Sequence, residues 1–599
     1  MAEAIAIKKE ILDTQNATFQ RAVSFVEDTN ENFFLTGKAG TGKTTFLKYI
    51  KEHTKKQCAI VAPTGVAAMN AGGETIHSFL QLPFSPFVPG NKGGFSGVAA
   101  EDKHSLLANL RLRETKLRLL RNLELLIIDE VSMVRCDMLD EIDLVLRHVR
   151  KSPLPFGGVQ MVFIGDLFQL PPVATQDDWE ILKHFYASTY FFDSHVLREN
   201  PLTYIELKKI YRQKDQTFID ILNSVRNGEV TQREIDILNE RHAHQHQEGC
   251  IILSTHNHIA DEVNRTELEK LTGAPHTFSG TIKKEFSQRN LPTEEDLQLK
   301  AGAQIMFIKN DIQTPRRYYN GKVGKVSAIN DEGIWISFPN EDEELLLELE
   351  TWKSIRYTLN PQTKQIEEEE TGSFTQYPIR LAWAVTVHKS QGLTLAKAMV
   401  DLSQSFAPGQ VYVALSRCTS MEGLFLRSRL SKENIIVDAR VVSFAQTEKD
   451  SDKLDEKLEE SKRAASAAKL YRIFSFAEEL SQMEELHMEL LKAKSGPKEE
   501  HMKVLSELVA ILDKEQKNAE TFHRQIRALV TALDDVKLGE RKSAAAQYFA
   551  EKVIDVCVKK IEGHLTFLNG YTKALKQKRA WKDMHTQFKE KATAIRALQ

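Results

Sequence analysis

Short apolar runs alternate with longer amphipathic stretches along residues 1–195. Segments 33–35, Cys58–Ala62, 125–129 and 161–165 are β-rich and lead into a glycine or a polar residue. Between them apolar positions recur at helical spacing, as at Phe46, Leu47 and Ile50. The pattern predicts an α/β domain whose parallel sheet carries its chemistry at the strands' carboxyl ends. Segment 82–100, LPFSPFVPGNKGGFSGVAA, interrupts the rhythm and predicts a surface loop or hairpin inserted at about 80–105. A second parallel αβ domain is predicted over 196–312 and 374–445. Between its halves, 313–373 has strand-and-turn grammar (VGKVSAIN, a DEG turn, IWISF, ELLLELETW) and predicts a small inserted β-barrel.

From residue 448 the pattern becomes wholly helical. Phe476, Leu480, Met483, His487 and Leu490 form one stripe; Phe522, Ile526, Leu529 and Leu533 form a second. Ile554, Val558, Ile561, Leu565 and Leu568 form a third, with breaks expected at Gly496-Pro497 and Gly539. Segment 448–599 therefore predicts an all-α bundle or short coiled coil.

At 599 residues the chain is long enough for several domains. A formal net charge of −3 excludes a globally basic nucleic-acid binder, so any such groove needs local donors. Five scattered cysteines show no metal or disulfide spacing. The start lacks a signal-peptide core, and no apolar run approaches the roughly 20 residues a bilayer span needs. The expectation is a reducing cytosol, bacterial before nuclear or mitochondrial, with no membrane partner.

FLTGKAGTGKTT is the strongest chemical signal. Gly37, Ala39, Gly40, Thr41, Gly42, Lys43, Thr44 and Thr45 follow a strand and open a helix, the context a phosphate loop requires. Its N–H groups suit a triphosphate, Lys43 the β- and γ-phosphates, and the Thr44 hydroxyl Mg²⁺. LLIIDEVSMV delivers Asp129, expected to share the Mg²⁺ shell, and Glu130, expected to activate the attacking water. VFIGDLFQLPPV repeats the design with Asp166 and Gln169, the latter a γ-phosphate sensor. Arg212 in IYRQ and Arg417 in YVALSRCTS are planar forks suited to phosphoryl oxygens, carried by the second domain. His242, His244 and His246 with Cys250 lack a second ligand pair and read as a polar loop. The run 367–370 reads as a solvated loop, and Lys573, Lys576, Lys578, Arg579 and Lys582 as a charged helical face.

Together these motifs, with APTGVAA, TIHSF and WAVTVHKSQGLT, resemble superfamily-1 DNA helicases of the 5′→3′ branch, specifically the PIF-type family, over residues 10–445. The resemblance implies two RecA-like P-loop domains, a strand-separating wedge at the first insertion and an SH3-like barrel at the second. It implies that Gln20 reads adenine and that Gly392 approaches the γ-phosphate. Thr64, Gly65, His77, Ser78 and Phe79 would contact single-stranded DNA on the first domain, and Thr386, His388, Lys389 and Ser390 on the second. The implied activity is ATP- and Mg²⁺-dependent unwinding of duplexes, quadruplexes or RNA–DNA hybrids in repair, recombination or telomere maintenance. An ATPase that remodels nucleoprotein without processive unwinding is the alternative. The C-terminal helices are expected to serve a protein partner or self-association.

Overall fold

The computed structural model describes residues 16–90, 100–213, 215–243, 249–311, 313, 316–339, 341–360, 362–402, 407–447, 453–492, 497–532, 534–571 and 575–598. Residues 91–99 of the expected wedge, His244, His246, Gly496, Leu533 and Lys573 lie outside them. The first lobe contains β1 (Phe33–Gly37), β2 (Cys58–Ala62), β3 (Glu74–Thr75), β4 (Phe87–Val88), β5 (Glu101–Asp102), β6 (Leu125–Ile128), β7 (Gln160–Ile164) and β8 (Thr203–Leu207). Six of these form a parallel sheet in the order β3-β2-β6-β7-β1-β8. Because the central strands have neighbours on both sides and helices on both faces, β1, β6 and β7 are buried throughout. Phe34 and Phe163 meet Phe191 at ring separations of 5.4 and 5.6 Å beneath the phosphate loop.

β8 corrects the expected boundary at 195/196: it pairs with β1 from Phe33↔Thr203 to Gly37↔Leu207, so the first sheet ends near residue 207. β4 and β5 pair in parallel over two residues, so the insertion does not close there as a hairpin, whose arms would be antiparallel.

The second lobe adds β9 (Ile251–Ser254), β10 (His276–Ser279), β11 (Thr281–Lys284), β12 (Asp296–Leu299), β13 (Gln304–Phe307), β14 (Val323–Asn330), β15 (Gly333–Ser337), β16 (Leu345–Leu346), β17 (Glu350–Leu359), β18 (Ile366–Gln376), β19 (Ile379–Leu381), β20 (Ala384–Thr386), β21 (Ala398–Val400) and β22 (Leu424–Leu426). Its parallel core runs β20-β9-β21-β22. The inserted β-structure is wider than 313–373. Its five-stranded sheet, β16-β15-β14-β13-β19, recruits residues 304–307 and 379–381, and a separate sheet, β11-β18-β17, recruits 281–284. Residues 367–370 are strand rather than loop, paired with β17. The long β17–β18 hairpin docks on the first lobe. The Ile60 N–H donates to the Tyr357 hydroxyl (3.1 Å), the Ile366 N–H to Gln57 Oε1 (2.6 Å), and Lys51 pairs with Glu368 (2.7 Å).

The C-terminal unit is all helical: Leu454–Phe474, Ala477–Lys492, Lys498–Thr531, Asp535–Phe549, Asp555–Phe567 and Leu575–Arg596, with a π-helical turn at Ala550–Ile554. Phe474, Phe476, Met483, Leu508, Phe549, Ile561, Trp581 and Phe588 share its core. Gly539 lies inside helix Asp535–Phe549 and does not break it; the preceding helix ends at Thr531. A polar knot sits in this core. The Trp581 indole N–H donates to His501 Nδ1 (3.0 Å), which lies 2.8 Å from His564 Nε2. Burial, and secondarily His501, pushes His564 down to about 4. Among the described residues no helix is long and apolar enough to cross a membrane.

Candidate active site

β1 runs straight into the phosphate loop, and helix Lys43–His53 leaves it with Gly42 at φ +94° as its N-cap. Gly40 (φ +80°) needs to be glycine for a second reason: a Cβ there would lie 2.4 Å from Arg212 Cβ. Lys43 Nζ donates to the Gly37 (2.6 Å) and Lys38 (3.1 Å) carbonyls, and the Thr41 hydroxyl to Lys38 O (2.9 Å). The Ala39 N–H donates to the Tyr412 hydroxyl at 3.1 Å, although 373 residues separate them. Burial lowers the Lys43 ammonium, while Asp166 and Glu130 pull it back up. Thr44 is exposed at the helix start and Thr45 half-buried behind it. The loop thus gathers backbone N–H groups and one ammonium at a helix start, the chemistry a polyphosphate requires.

Asp129 and Glu130 follow β6 directly. Glu130 sits at φ +51°, a conformation costing roughly 1–3 kcal/mol for a non-glycine residue. Burial, then the Glu130 charge, holds the Asp129 carboxyl well above its ordinary range. Burial also raises Glu130, against the pull of Lys43 and Arg417. Two half-buried carboxyls and the exposed Thr44 hydroxyl are hard-oxygen donors of the kind Mg²⁺ takes.

The second lobe contributes the facing cations. Arg417 is buried; its Nε donates to Val413 O (3.0 Å) and its Nη2 to Ser416 Oγ (3.0 Å). Half-buried Arg212 reaches Ser416 O through Nη1 at 3.3 Å. Burial, then Arg417, pushes Arg212 down to about 9. Neither guanidinium forms an ion pair among the described residues; Arg417 feels the more distant charges of Glu130 and Asp166, and the two cations repel each other. Gln213 fixes their loop by donating to the Ser416 and Cys418 carbonyls, both at 3.2 Å. Gln391 Nε2 lies 3.2 Å from Glu130 Oε2 and 3.3 Å from Gln169 Oε1. Gly392, at φ +81° with open space beside it, needs its glycine for conformation. Gln20 is exposed on helix Ala17–Asp28.

Sequence reasoning missed Gln213, Arg226, Gln391 and Tyr412. Three of these lie inside motifs it had quoted; Arg226 has no local signature.

Among the residues expected to contact DNA, the Thr64 hydroxyl caps helix Gly65–Ala71 by accepting from Ala67 N–H at 3.2 Å. Ser78 Oγ donates to Glu74 Oε1 (2.6 Å). Phe79 is a correction: it is fully buried, edge-on to Tyr357 at 5.8 Å and under the Lys116 ammonium, so it cannot stack on a base. The exposed aromatic nearby is Phe84, 82% exposed and stacked on His77 at 4.4 Å. Thr386 and Ser390 are corrections as well. Both are buried; Thr386 Oγ1 accepts from Lys389 N–H, and Ser390 Oγ donates to Val387 O. They shape a turn that leaves His388 and Lys389 exposed.

Residues 10–236 match the family model of the PIF1-like helicase. Over 424 residues the chain is 34% identical to the ATP-dependent DNA helicase Pif1 of Bdellovibrio bacteriovorus, spanning 69% of this chain and 88% of that protein. The chain belongs to the PIF1-like helicase family. The unliganded Pif1 from Bacteroides sp is 40% identical to this PIF1-like chain and superposes with a TM-score of 0.65, over 73% of this chain and 97% of that one. Mouse ATP-dependent DNA helicase PIF1 is 34% identical over 428 residues; the PIF1-like chain spans about 60% of its length. Residues 457–599 match a second model, DNA helicase, middle domain, which the helical periodicity alone did not suggest.

Proposed function

We propose that this PIF1-like chain is an ATP-driven DNA helicase that moves along a single strand and separates duplex or otherwise folded DNA. The supporting observation is that the phosphate loop of the first lobe lies against Arg212 and Tyr412, while Glu130 lies within the field of Arg417. The Bacteroides Pif1 has been crystallised with ADP-AlF4 and bound to ssDNA, which supports both partners. The 5′→3′ direction follows from the family resemblance.

In this reading the phosphate loop and Lys43 bind the triphosphate, and Gln20 takes the adenine edge. Thr44 and Asp129 hold Mg²⁺, which supplies charge neutralisation at the phosphoryl oxygens when bound. Glu130 accepts the proton of the attacking water, and Gln169 contacts the γ-phosphate. Arg212 and Arg417 take the phosphoryl oxygens, and such guanidinia contribute roughly 10³- to 10⁵-fold in rate. Because they stand on the second lobe, their engagement requires the lobes to close, and product release permits opening. Thr64, Gly65, His77, Ser78, His388 and Lys389 grip the strand in alternation, mostly through neutral donors and phosphate contacts. The helical unit is read as a docking or self-association module.

The deciding experiment offers duplexes with a 5′ or a 3′ single-stranded tail, with and without ATP. Unwinding of the 5′-tailed duplex alone, lost in Lys43→Ala while strand binding persists, is expected. Nucleotide-independent strand separation, or unwinding by Lys43→Ala, overturns the reading.

A further inference from the structure

Five side chains form a continuous hydrogen-bonded chain that crosses between the lobes repeatedly. It starts at Arg226, at the end of helix Gln216–Asn227, which packs on the second-lobe helix Gln410–Leu415. Arg226 Nη2 donates to Asp166 Oδ1 on the first lobe at 3.1 Å, and its guanidinium lies 4.0 Å from the Phe168 ring centroid. Gln169 Nε2 donates to the other Asp166 oxygen, Oδ2, at 3.3 Å. Second-lobe Gln391 Nε2 then bridges Gln169 Oε1 and Glu130 Oε2.

The direction of every bond in this chain follows from Asp166. Burial would raise its carboxyl, but Arg226 and Lys43 outweigh that and hold it ionised, so it only accepts. Gln169 must therefore turn its NH₂ toward Asp166 and its carbonyl toward Gln391. That in turn obliges Gln391 to present its NH₂, which reaches Glu130 as well. A reversed Gln169 amide would set an oxygen against a carboxylate and an NH₂ against another NH₂. Close backbone packing holds the same turn: a Cβ on Gly409 would lie 2.3 Å from the Gln169 carbonyl oxygen.

Stability does not account for the pair at the head of the chain. Arg226 and Asp166 are both almost fully buried, and Arg226 Nε finds no hydrogen-bond partner among the described residues. A buried ion pair is commonly matched or exceeded in stability by well-packed apolar residues.

We propose that Arg226 and Gln391 are positioning residues for hydrolysis: through Asp166 and Gln169 they fix Glu130 and the γ-phosphate-facing amide only while the second lobe is seated on the first. The inference rests on the proposed ATPase reading. It makes the lobe interface itself, and not only the two arginine forks, a condition for bond cleavage.

The test measures DNA-stimulated ATP hydrolysis by the full chain at saturating single-stranded DNA. Arg226→Gln is expected to lower kcat roughly 10- to 100-fold with KM nearly unchanged, the scale of misplacing a catalytic group. Arg226→Lys, which keeps the charge but not the fork, recovers part of the loss. Gln391→Leu, at a half-exposed position that leaves folding intact, lowers kcat likewise, and the double variant loses little more than either single one. Unchanged kcat in folded Arg226→Gln or Gln391→Leu, or losses that multiply in the double variant, overturns the relay. Absence of ATPase activity in the unaltered chain overturns the underlying reading instead.

Discussion

Arg212→Gln tests whether the Arg212 guanidinium is a cation held ready for phosphate. The substitution keeps the Cβ that packs against Gly40 and removes only the charge and fork. This guanidinium lies in the field of Arg417, and burial and then that repulsion push it down to about 9. That displacement sets a ceiling of about 5 kcal/mol on the cost of keeping it charged. Water still reaches the half-buried side chain, and screening reduces the expected cost to about 1–2 kcal/mol. The cost is undiminished at neutral pH, where the group is protonated in both folded and unfolded chains. Arg212→Gln should therefore raise the ligand-free melting midpoint by about 2–4 °C while reducing ATP hydrolysis by about 10³-fold. The further rise that ADP-AlF4 produces in the unaltered protein should shrink. Scanning fluorimetry with and without nucleotide, paired with a phosphate-release assay, reads all three. A drop of more than a few degrees in the ligand-free midpoint would show Arg212 to be a structural tie rather than a waiting phosphate ligand.

Phe79→Ala should destabilise the first lobe by roughly 3–5 kcal/mol, the cost of emptying a core aromatic site. Phe84→Ala should leave stability untouched and weaken single-strand binding by about 1–3 kcal/mol in a fluorescence-anisotropy titration; equal binding by both proteins would exclude Phe84 as a stacking surface. Gly409→Ala should slow hydrolysis and lower the melting midpoint, since φ +77° alone costs a non-glycine residue about 1–2 kcal/mol and its Cβ meets the Gln169 carbonyl. In the C-terminal unit, His564 takes up its proton near 4 when folded and near 6.5 when unfolded, so its stabilising share is complete above 6.5 and disappears as pH falls toward 4. The full loss amounts to about 3 kcal/mol, of which about 2 kcal/mol is reached by pH 5. Urea titrations at pH 7.5 and 5, followed by Trp581 fluorescence, should show it, and His564→Phe should flatten the dependence.

The strands that precede Gly37, Asp129 and Asp166 were readable because each is a short apolar run ending in one motif, and the periodic helices beyond residue 453 were readable for the same local reason. Edges between units were not. β8 has the composition of many strands, and only its pairing with β1 assigns it to the first lobe. The inserted sheets borrow strands from both flanks of 313–373 because closing them needs partners that alternation cannot name. Phe79 and Phe84 illustrate the limit for single residues. Both are aromatic and five positions apart, yet one is enclosed by Tyr357 and Lys116 and the other faces solvent.

Sequence by itself determined the class of chemistry here, because a phosphate loop, an acidic pair and a helix start act through neighbours within a few residues, and their spacing is written in the chain. Only tertiary structure decided which side chains cooperate. Arg226 meets Asp166 across 60 positions, Gln391 meets Gln169 across 222 and Tyr412 meets Ala39 across 373. Burial, desolvation and the direction of a hydrogen bond depend on what distant stretches of the chain bring to one place, and no local pattern carries that information.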